Sequence, residues 1–495
     1  MTARLGKSWP AAGAFLVLAV APLVLTDPCG ASVIEQIMAE EGLPVAEIEG
    51  PGSTRLDGMG RLELVIPDEN NEINLLDYGG NLAGTIFDKD HWSLETWTRY
   101  HNLLLDPRDP TRRRFRFLSG GTRVVYRKAD QRAIGAAVNY QRLEASPVTG
   151  DDVAVRGPVT EAFYNERPFS WLAAAVSLGL NSENEDRVSE DVFSVRHRQG
   201  RIEGQVGLAF LLGSYRLGAT WDFRRGEITG TSRDPAAFHS DQFVWKRPED
   251  TFSAQAVFLP DGPVRGGAFV RRKAFEGGET ARLRWSDRFP DNGSRENFAL
   301  ETTSFLEEEE STTYGTRWFY ELGATWRLGG LLSGASGSTL VTEGVNFKGS
   351  RRAGETDFDS RRLGAGASGL FLDRRLQAGV EAYLERGDLT ESSVRAAVDR
   401  SWQTRSLRVG AEMFWTKSFV VRGGLVTEDL DLDVDRPASR HRGFLYTLGA
   451  SYLPRGGLWQ LDGALGLERR RRAQEDNEES VLEDVFWSFG VRHIL

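Results

Sequence analysis

Short segments in which apolar and polar residues alternate strictly recur along the C-terminal half of the chain. In the last of them, Val485, Trp487 and Phe489 share one face, while Ser488 and Gly490 share the other. Because successive side chains of a β-strand point to opposite faces, this period of two predicts an all-β fold whose strands each carry one apolar face. The same pattern occurs in that half at 376–385, 405–415, 444–452 and 459–468, and earlier in the chain at 201–210 and 215–223.

The start of the chain has the layout of a secretory signal peptide. Arg4 and Lys7 precede an apolar run at 11–25, and small residues follow at 30–32. This arrangement predicts a signal peptide over residues 1–32, with an N-terminal membrane anchor as the alternative. Cys29 is the only cysteine, so cleavage beyond it would leave a mature chain without disulfides or thiol chemistry.

The overall charge and polarity exclude several classes of protein. A net charge of −10 disfavours a basic nucleic-acid surface, and we expect no nucleic-acid partner. A mean hydropathy of −0.38 is too polar for a membrane protein built from helices. A membrane-spanning barrel tolerates this polarity, because only every second residue of its strands faces lipid.

Alternation alone also fits a soluble sandwich, whose apolar face turns inward. A membrane barrel is favoured because one pattern continues through residues 113–495, whereas a soluble β protein of that length would usually divide into domains. Aromatic residues also gather near the ends of the segments, as they do in the interfacial girdles of membrane barrels. These aromatics are Trp221, Phe223, Trp402, Trp415, Tyr452 and Trp459.

Taken together, the export signal, the alternating segments and the amphipathic final strand resemble bacterial outer-membrane β-barrels of porin-like architecture. The chain departs from their usual ending because Leu495 is not aromatic and His493 falls on the apolar face. Counting the alternating runs over 113–495 gives roughly 16–18 strands. The resemblance implies that they form a transmembrane antiparallel barrel in the outer membrane of a Gram-negative-type bacterium. It also implies contact with outer-membrane lipid and lipopolysaccharide, and recognition of the final strand by the barrel-assembly machinery.

The remaining segments are less regular. Residues 33–112 begin with a short amphipathic helix pattern, and we interpret them as a periplasmic extension, a plug inside the lumen, or the first one or two strands. The run 169–180 is apolar on both faces and predicts a strand, with a short helix as the alternative. Residues 349–360 read as a long connection on the periplasmic side.

The polar faces of the strands carry charges of both signs, which we expect to face the lumen. Hydrated charges would make a pore for passive passage of small polar or ionic solutes. Paired charges would instead fill a plugged barrel with a structural, adhesive or export-scaffold role. The candidate pore-lining residues are Arg201, Glu203, Arg216, Glu381, Glu385, Arg395, Asp399, Arg408, Glu412, Asp462 and Glu468.

Signals for chemistry are weak. The six histidines lack the spacing of a zinc helix, no phosphate-binding glycine loop occurs, and we expect no cofactor, metal or catalytic residue. An outer-membrane hydrolase is the third and weakest hypothesis, because its triad could come from separate strands. Aspartates alternate over 429–435 and predict a wet acidic face in preference to a calcium site. Arginines at 469–472 could contact lipopolysaccharide phosphates or form a solvated loop edge.

Overall fold

A computed structural model describes the region from His91 to Ile494, apart from short gaps in its connections, together with Met59, Arg61, Leu62, Leu64, Val65 and Ala83. The predicted signal peptide lies outside the described residues. No helix in the described part of the chain is long and apolar enough to span a bilayer. The gaps cover residues 106–113, 129–130, 147–150, 190–193, 235–238, 247, 259–262, 289–295, 302, 346–349, 394–396, 435–438, 455–457 and 475–478.

Twenty β-segments make 18 strands, because two strands are interrupted. β8 and β9 both pair with β7 and β10, and the break between them contains Pro248, which has no N–H to donate to a ladder. β11 and β12 both pair with β10. The segments are β1 (His91–Leu105), β2 (Arg114–Lys128), β3 (Arg132–Ser146), β4 (Asp151–Phe169), β5 (Leu172–Ser189), β6 (Ser194–Leu212), β7 (Tyr215–Asp234), β8 (His239–Lys246), β9 (Glu249–Phe258), β10 (Val264–Arg288), β11 (Glu296–Glu301), β12 (Thr303–Leu322), β13 (Trp326–Val345), β14 (Ser350–Phe371), β15 (Leu376–Ser393), β16 (Ala397–Phe414), β17 (Phe419–Val434), β18 (Ser439–Tyr452), β19 (Trp459–Gln474) and β20 (Glu479–Ile494).

The sheet closes on itself. Every strand pairs antiparallel with its neighbour in sequence, and β1 pairs antiparallel with β20. Closure leaves no free edge, so all strand N–H and C=O groups can bond within the barrel, as a bilayer requires. Since the strand number is even, the start of β1 and the end of β20 lie at the same end of the barrel.

The outside of the barrel is apolar. Leu448, Leu465 and Phe489 are 65%, 51% and 46% exposed, while the residues next to each of them in its own strand point inward. A large apolar surface that is exposed on every side of a closed barrel requires lipid, because water would solvate it poorly. The all-β prediction and the membrane-barrel prediction are therefore confirmed, and the chain is an 18-stranded outer-membrane β-barrel.

Tight turns lie at one end of the barrel. The two-residue turn after β6 contains Gly213 with φ of 64°, a left-handed conformation that glycine adopts at little cost. Barrels of this class have short periplasmic turns and longer extracellular strands and loops. The end of the barrel with the tight turns is therefore the periplasmic end, and the start of β1 and the end of β20 lie there as well. Exposed aromatics ring the same end: Trp171, Tyr215, Trp326, Phe371, Trp415, Phe419, Tyr452 and Trp459.

Several sequence-based boundaries need correction. The barrel begins at His91 and not at 113, because β1 pairs with both β2 and β20. Residues 350–360 form the extracellular half of β14 and not a periplasmic loop, since β14 pairs with β13 from Ser350 and with β15 from Gly354. The run 169–180 is a turn at 170–171 followed by β5, so the strand prediction is confirmed there. Trp402 faces inward over Gly387 and does not belong to a girdle.

Candidate functional site

Most of the candidate pore-lining residues lie on the inward face of the barrel. The alternation places Arg201 and Glu203 inward on β6, Arg216 on β7, Glu381 and Glu385 on β15, Arg408 and Glu412 on β16, and Asp462 and Glu468 on β19. Asp399 is an exception: it shares its parity with the lipid-facing Leu407 and Val409 on uninterrupted β16, so it lies on the outer face. Arg395 lies outside the described residues.

A ladder of alternating charges crosses the lumenal wall from β6 to β12. Arg201 contacts Glu203 at 3.0 Å, and Arg224 lies between Glu203 and Glu249 at 3.8 and 3.3 Å. The cross-strand register sets this order, because Glu203 is opposite Arg224 and Arg224 is opposite Glu249. The ladder continues through Lys273, whose Nζ lies 3.5 Å from Glu249 and 3.1 Å from Glu309.

A polar cavity of about 640 Å³ opens against this ladder. Its wall includes Glu161, Asp222 and Arg271 besides the ladder residues Glu203, Arg224, Glu249 and Lys273. Serine, threonine and glutamine side chains separate these charges. Gln205 donates a 2.5 Å hydrogen bond to Asp222. Side chains of this kind hold water and small polar solutes, because each offers a donor or an acceptor toward open space.

An internal segment, defined as Met59, Arg61, Leu62, Leu64 and Val65, docks mainly against the wall formed by β12 to β16. The carboxylate of Glu381 accepts hydrogen bonds from the backbone N–H groups of Leu64 and Val65 at 2.5 and 2.8 Å. Glu381 has no exposed surface, and its second oxygen accepts a 2.8 Å bond from the Tyr383 hydroxyl. Glu381 therefore acts as a clamp on the internal segment.

Further contacts hold the segment along β14 and β16. Ser368 donates to the Val65 carbonyl at 2.8 Å, and Arg408 donates to the Arg61 carbonyl at 2.7 Å. Gly410 lets the chain approach closely, because a side chain there would overlap the Met59 carbonyl. The recognition is thus made largely through the segment's backbone.

Apolar packing adds to these polar contacts. Leu64 and Val65 form a buried cluster with Val257, Phe319 and Tyr383, which lie in the periplasmic halves of their strands. The segment therefore lies in the periplasmic half of the lumen, below the polar cavity.

A second point of the N-terminal part touches the far side of the barrel. Ala83 packs against Ala173 and Ala175 of β5 and Ala209 of β6. β5 and β16 stand nine positions apart in the ring of 18, with β8–β9 and β11–β12 each counted as one strand. The two contact points are therefore on opposite walls. Residues 33–112 were interpreted as a periplasmic extension, a plug inside the lumen, or the first one or two strands. The position of the internal segment and Ala83 fits a segment inside the lumen, and β1 fits a first strand.

Two other groups of inward charges form ion pairs. Arg422 donates to Glu412 at 2.6 Å and to Asp462 at 3.3 Å, and all three are largely buried. The candidate residues Glu412 and Asp462 thus meet in one ion-paired cluster. Glu468 pairs with Arg470 close by on β19.

A buried histidine at the closing seam was missed from sequence. His101 on β1 lies 2.7 Å from Asp484 on β20 and stacks on Phe486 at 5.2 Å. Asp484 also accepts the Asn102 N–H at 3.2 Å. The parity of Asp484 in the final strand would have signalled an inward carboxylate, but its partner could be found only with β1 in place. Among the described residues, no cluster of His, Cys, Asp or Glu is arranged to hold a metal ion.

Comparisons with known proteins give weak similarities. No family model matches the chain, and no curated protein is similar to it in sequence. The unliganded ferric citrate transporter FecA superposes with a TM-score of 0.44 at 9% identity, covering 82% of this chain and 79% of that one. The alcaligin outer-membrane receptor FauA of Bordetella pertussis gives 0.40 at 9%, covering 79% and 75%. The toluene transporter TodX of Pseudomonas putida gives 0.34 at 9%, covering 89% and 98%. At these values the likeness supports no inference about function.

Proposed function

We propose that this barrel is a channel for small polar or ionic solutes and that solutes pass along the charge ladder of β6 to β12. The observation that carries the proposal is the cavity of about 640 Å³ beside Glu203, Arg224, Glu249 and Lys273. Barrels of roughly 16–18 strands are wide enough to enclose an aqueous path. Alternating charges along such a path lower the cost of moving an ion out of bulk water.

The internal segment narrows this path without contacting the ladder. Its described contacts lie on β12 to β16, on β9 at Val257 and on β20, where Arg61 lies over the Phe486 ring. The ladder charges lie on β6, β7, β9, β10 and β12, nearer the middle of the strands. We therefore expect solute selectivity to depend on the charges of the ladder and conductance to depend on the space that the internal segment leaves in the lumen.

A plugged barrel with a structural or scaffold role is the second candidate. The clamp of Glu381 on two backbone amides favours it, because a fully buried carboxylate with three donors holds its partner firmly. The cluster of Arg422, Glu412 and Asp462 favours it as well, because these charges are largely buried and so line no water path.

Planar-bilayer recording separates the two candidates. The full-length mature chain should give stepwise currents, and Arg271→Gln should shift the reversal potential toward cation preference because a cavity-lining cation is lost. Arg272→Gln is the matched control: Arg272 is the next residue, faces outward and pairs with Glu310. Equal shifts for both variants would exclude this wall as the path.

A further outcome is that the full-length chain gives no current while a chain starting at His91 conducts. This result would support the plugged barrel and contradict the channel proposal. Reversing Arg408, an obvious choice from the sequence, is a poor probe of selectivity because this residue also holds the Arg61 carbonyl.

A further inference from the structure

The charge ladder contains one place where two carboxylates follow each other without a cation in the row between them. Glu203 is directly opposite Arg224 on one side and opposite Gly179 of β5 on the other. Gly179 is in turn opposite Glu161 of β4. The register therefore places Glu161 and Glu203 on either side of a residue that has no side chain. Both carboxylates line the cavity of about 640 Å³.

The side chain of Glu203 lies over Gly179. A Cβ atom added at Gly179 would come within 2.9 Å of Cγ and 3.3 Å of Oε1 of Glu203. Arg201 and Arg224 contact the other oxygen, Oε2, at 3.0 and 3.8 Å. These ion pairs of Glu203 are thus made at Oε2, while Oε1 lies on the β5 side.

Glu161 completes the pair from the β4 side. Its side chain is exposed to the lumen, where it lines the cavity. It forms no ion pair with any residue that the structure describes. Arg123 attracts it from two strands away, on the side that faces away from Gly179, and Glu203 repels it. The two carboxylates therefore leave a negatively charged gap over Gly179.

A buried hydroxyl in this gap points to a ligand. Ser177 lies two residues from Gly179 on the same inward face, is only 8% exposed, and lines the cavity. Within the described part of the chain its hydroxyl has no hydrogen-bond partner. Buried hydroxyls normally have a partner, because an unmet donor or acceptor costs free energy. A polar group held in the cavity would supply this partner.

The same arrangement occurs elsewhere in the wall with its cation in place. On β10, Phe275 is flanked in its row by Glu249 and Glu309. Lys273, two residues nearer the periplasm, places its Nζ 3.5 Å from Glu249 and 3.1 Å from Glu309. β5 and β10 run in the same direction, and the position on β5 that corresponds to Lys273 is Ser177. The chain thus supplies an ammonium group to one carboxylate pair and a serine to the other.

We propose that the β5 subsite, defined as Glu161, Ser177, Gly179 and Glu203, binds the primary ammonium group of a small organic cation. This group takes the place that the Nζ of Lys273 takes on β10, and its N–H groups donate to both carboxylates and to the Ser177 hydroxyl. The strands of each carboxylate pair are two strand spacings apart, about 9.6 Å, so one ammonium group can bridge both pairs alike. Charge-assisted hydrogen bonds of this kind are stronger than neutral ones.

This inference rests on the proposed function, since it names a solute group that the same path would carry. Binding at the subsite can nevertheless be measured without any current. Saturation-transfer NMR of the full-length mature chain in phosphatidylcholine nanodiscs, titrated with propylammonium, gives the affinity, and empty nanodiscs give the background. Tetramethylammonium, which has the same charge but no N–H donor, should bind at least roughly tenfold more weakly than propylammonium.

Two variants test the residues of the subsite. Ser177→Lys should weaken propylammonium binding at least roughly tenfold, because the introduced ammonium group fills the gap as Lys273 does on β10. Thr313→Lys is the matched control: it adds the same charge to the same cavity, but on β12, five strand positions away. Its affinity should fall less than about threefold, because ions in the lumen screen the added charge. Glu161→Gln, which keeps the shape of the side chain, should weaken binding by roughly three- to tenfold.

Unchanged propylammonium binding in both Ser177→Lys and Glu161→Gln would overturn the proposal. So would equal affinities for the two cations, an equal loss in Thr313→Lys, or no binding by the wild type. Folding of each variant is checked by its heat-dependent electrophoretic shift, and Glu161→Gln serves alone if Ser177→Lys does not fold.

The subsite and the channel can fail separately. A barrel that binds propylammonium as expected but gives no stepwise current would support the subsite and contradict the channel proposal. A conducting barrel whose binding is unchanged in both subsite variants would overturn the subsite and leave the channel proposal standing.

Discussion

Replacing Glu381 by alanine should release the internal segment from the barrel wall. In the docked state the carboxylate accepts the N–H groups of Leu64 and Val65, and it is fully buried. Alanine leaves both amides without an acceptor while they remain buried. An undocked segment can return them to water, so the substitution shifts the docking equilibrium toward release.

The size of the shift follows from the two lost acceptors. A buried donor left without a partner costs about 1–3 kcal/mol, so two such donors at about 1.5 kcal/mol each weaken docking by about 3 kcal/mol. At 1.4 kcal/mol per factor of ten, this corresponds to a roughly 100-fold change in the docking equilibrium. The docking equilibrium of Glu381→Gln should fall between those of the wild type and Glu381→Ala, because the glutamine amide oxygen still accepts one or both hydrogen bonds.

Hydrogen–deuterium exchange in lipid nanodiscs measures this directly on the peptide that contains Leu64 and Val65. These two amides should exchange about 100-fold faster in Glu381→Ala than in the wild type if they exchange through segment release. The control is Glu385→Ala, which removes an inward carboxylate from the same strand, four residues away toward the extracellular end.

Equal exchange of these amides in wild type and Glu381→Ala would refute the clamp. Acceleration of the same size in Glu385→Ala would mean that any change to β15 loosens the lumen, and it would count against a specific role for Glu381.

Two other predictions concern single positions. Gly410→Val should displace the internal segment, because any side chain at position 410 overlaps the Met59 carbonyl. Gly463→Val is the control, because a Cβ atom at position 463 meets no atom within 4 Å. Single-channel conductance should therefore rise in Gly410→Val and stay unchanged in Gly463→Val. Phe486→Ala should lower the free energy of unfolding by about 3–5 kcal/mol, because Phe486 is fully buried at the seam between β1 and β20. Phe489→Ala should lower it less, because Phe489 is 46% exposed. Urea unfolding followed by tryptophan fluorescence measures both changes.

The strand pattern of the C-terminal half could be predicted from sequence because both faces are chemically distinct there. In β18, for example, Phe444, Tyr446 and Leu448 are exposed to lipid while Thr447 and Ser451 are buried inward. A one-residue slip would place the polar set in lipid, so the register has a single acceptable value. The strand count of roughly 16–18 included the observed 18 for the same reason.

β1 stayed one of three interpretations of its region because its two faces are mixed. Thr96 and Asn102 lie outward among its apolar residues, while Trp97 and Leu103 lie inward. The ladders with β2 and β20 hold this segment as a strand in spite of its weak alternation. β14 was missed over 350–360 because its extracellular half stands above the apolar band, where neither face has to be apolar.

The candidate site was predictable only as a set of inward residues. Parity identified Arg201, Glu203 and Glu381, but pairing depends on neighbours that lie far away in the chain. Glu381 bonds to a segment more than 300 positions earlier, and no local pattern signals that contact. Asp399 was assigned to the lumen by grouping it with nearby charges, whereas the uninterrupted ladder of β16 places it outside.

The passage of solutes along the β4 to β12 wall is best tested by chemical modification during single-channel recording. Cysteine is introduced at Thr313, which lines the cavity on β12, or at the adjacent lipid-facing Tyr314, in a chain whose native Cys29 is replaced by serine. A positively charged thiol reagent should reduce the current through the Thr313→Cys channel in one irreversible step and leave Tyr314→Cys unchanged. Absence of current in both proteins, or the same response from both, would contradict a conducting lumen bounded by this wall.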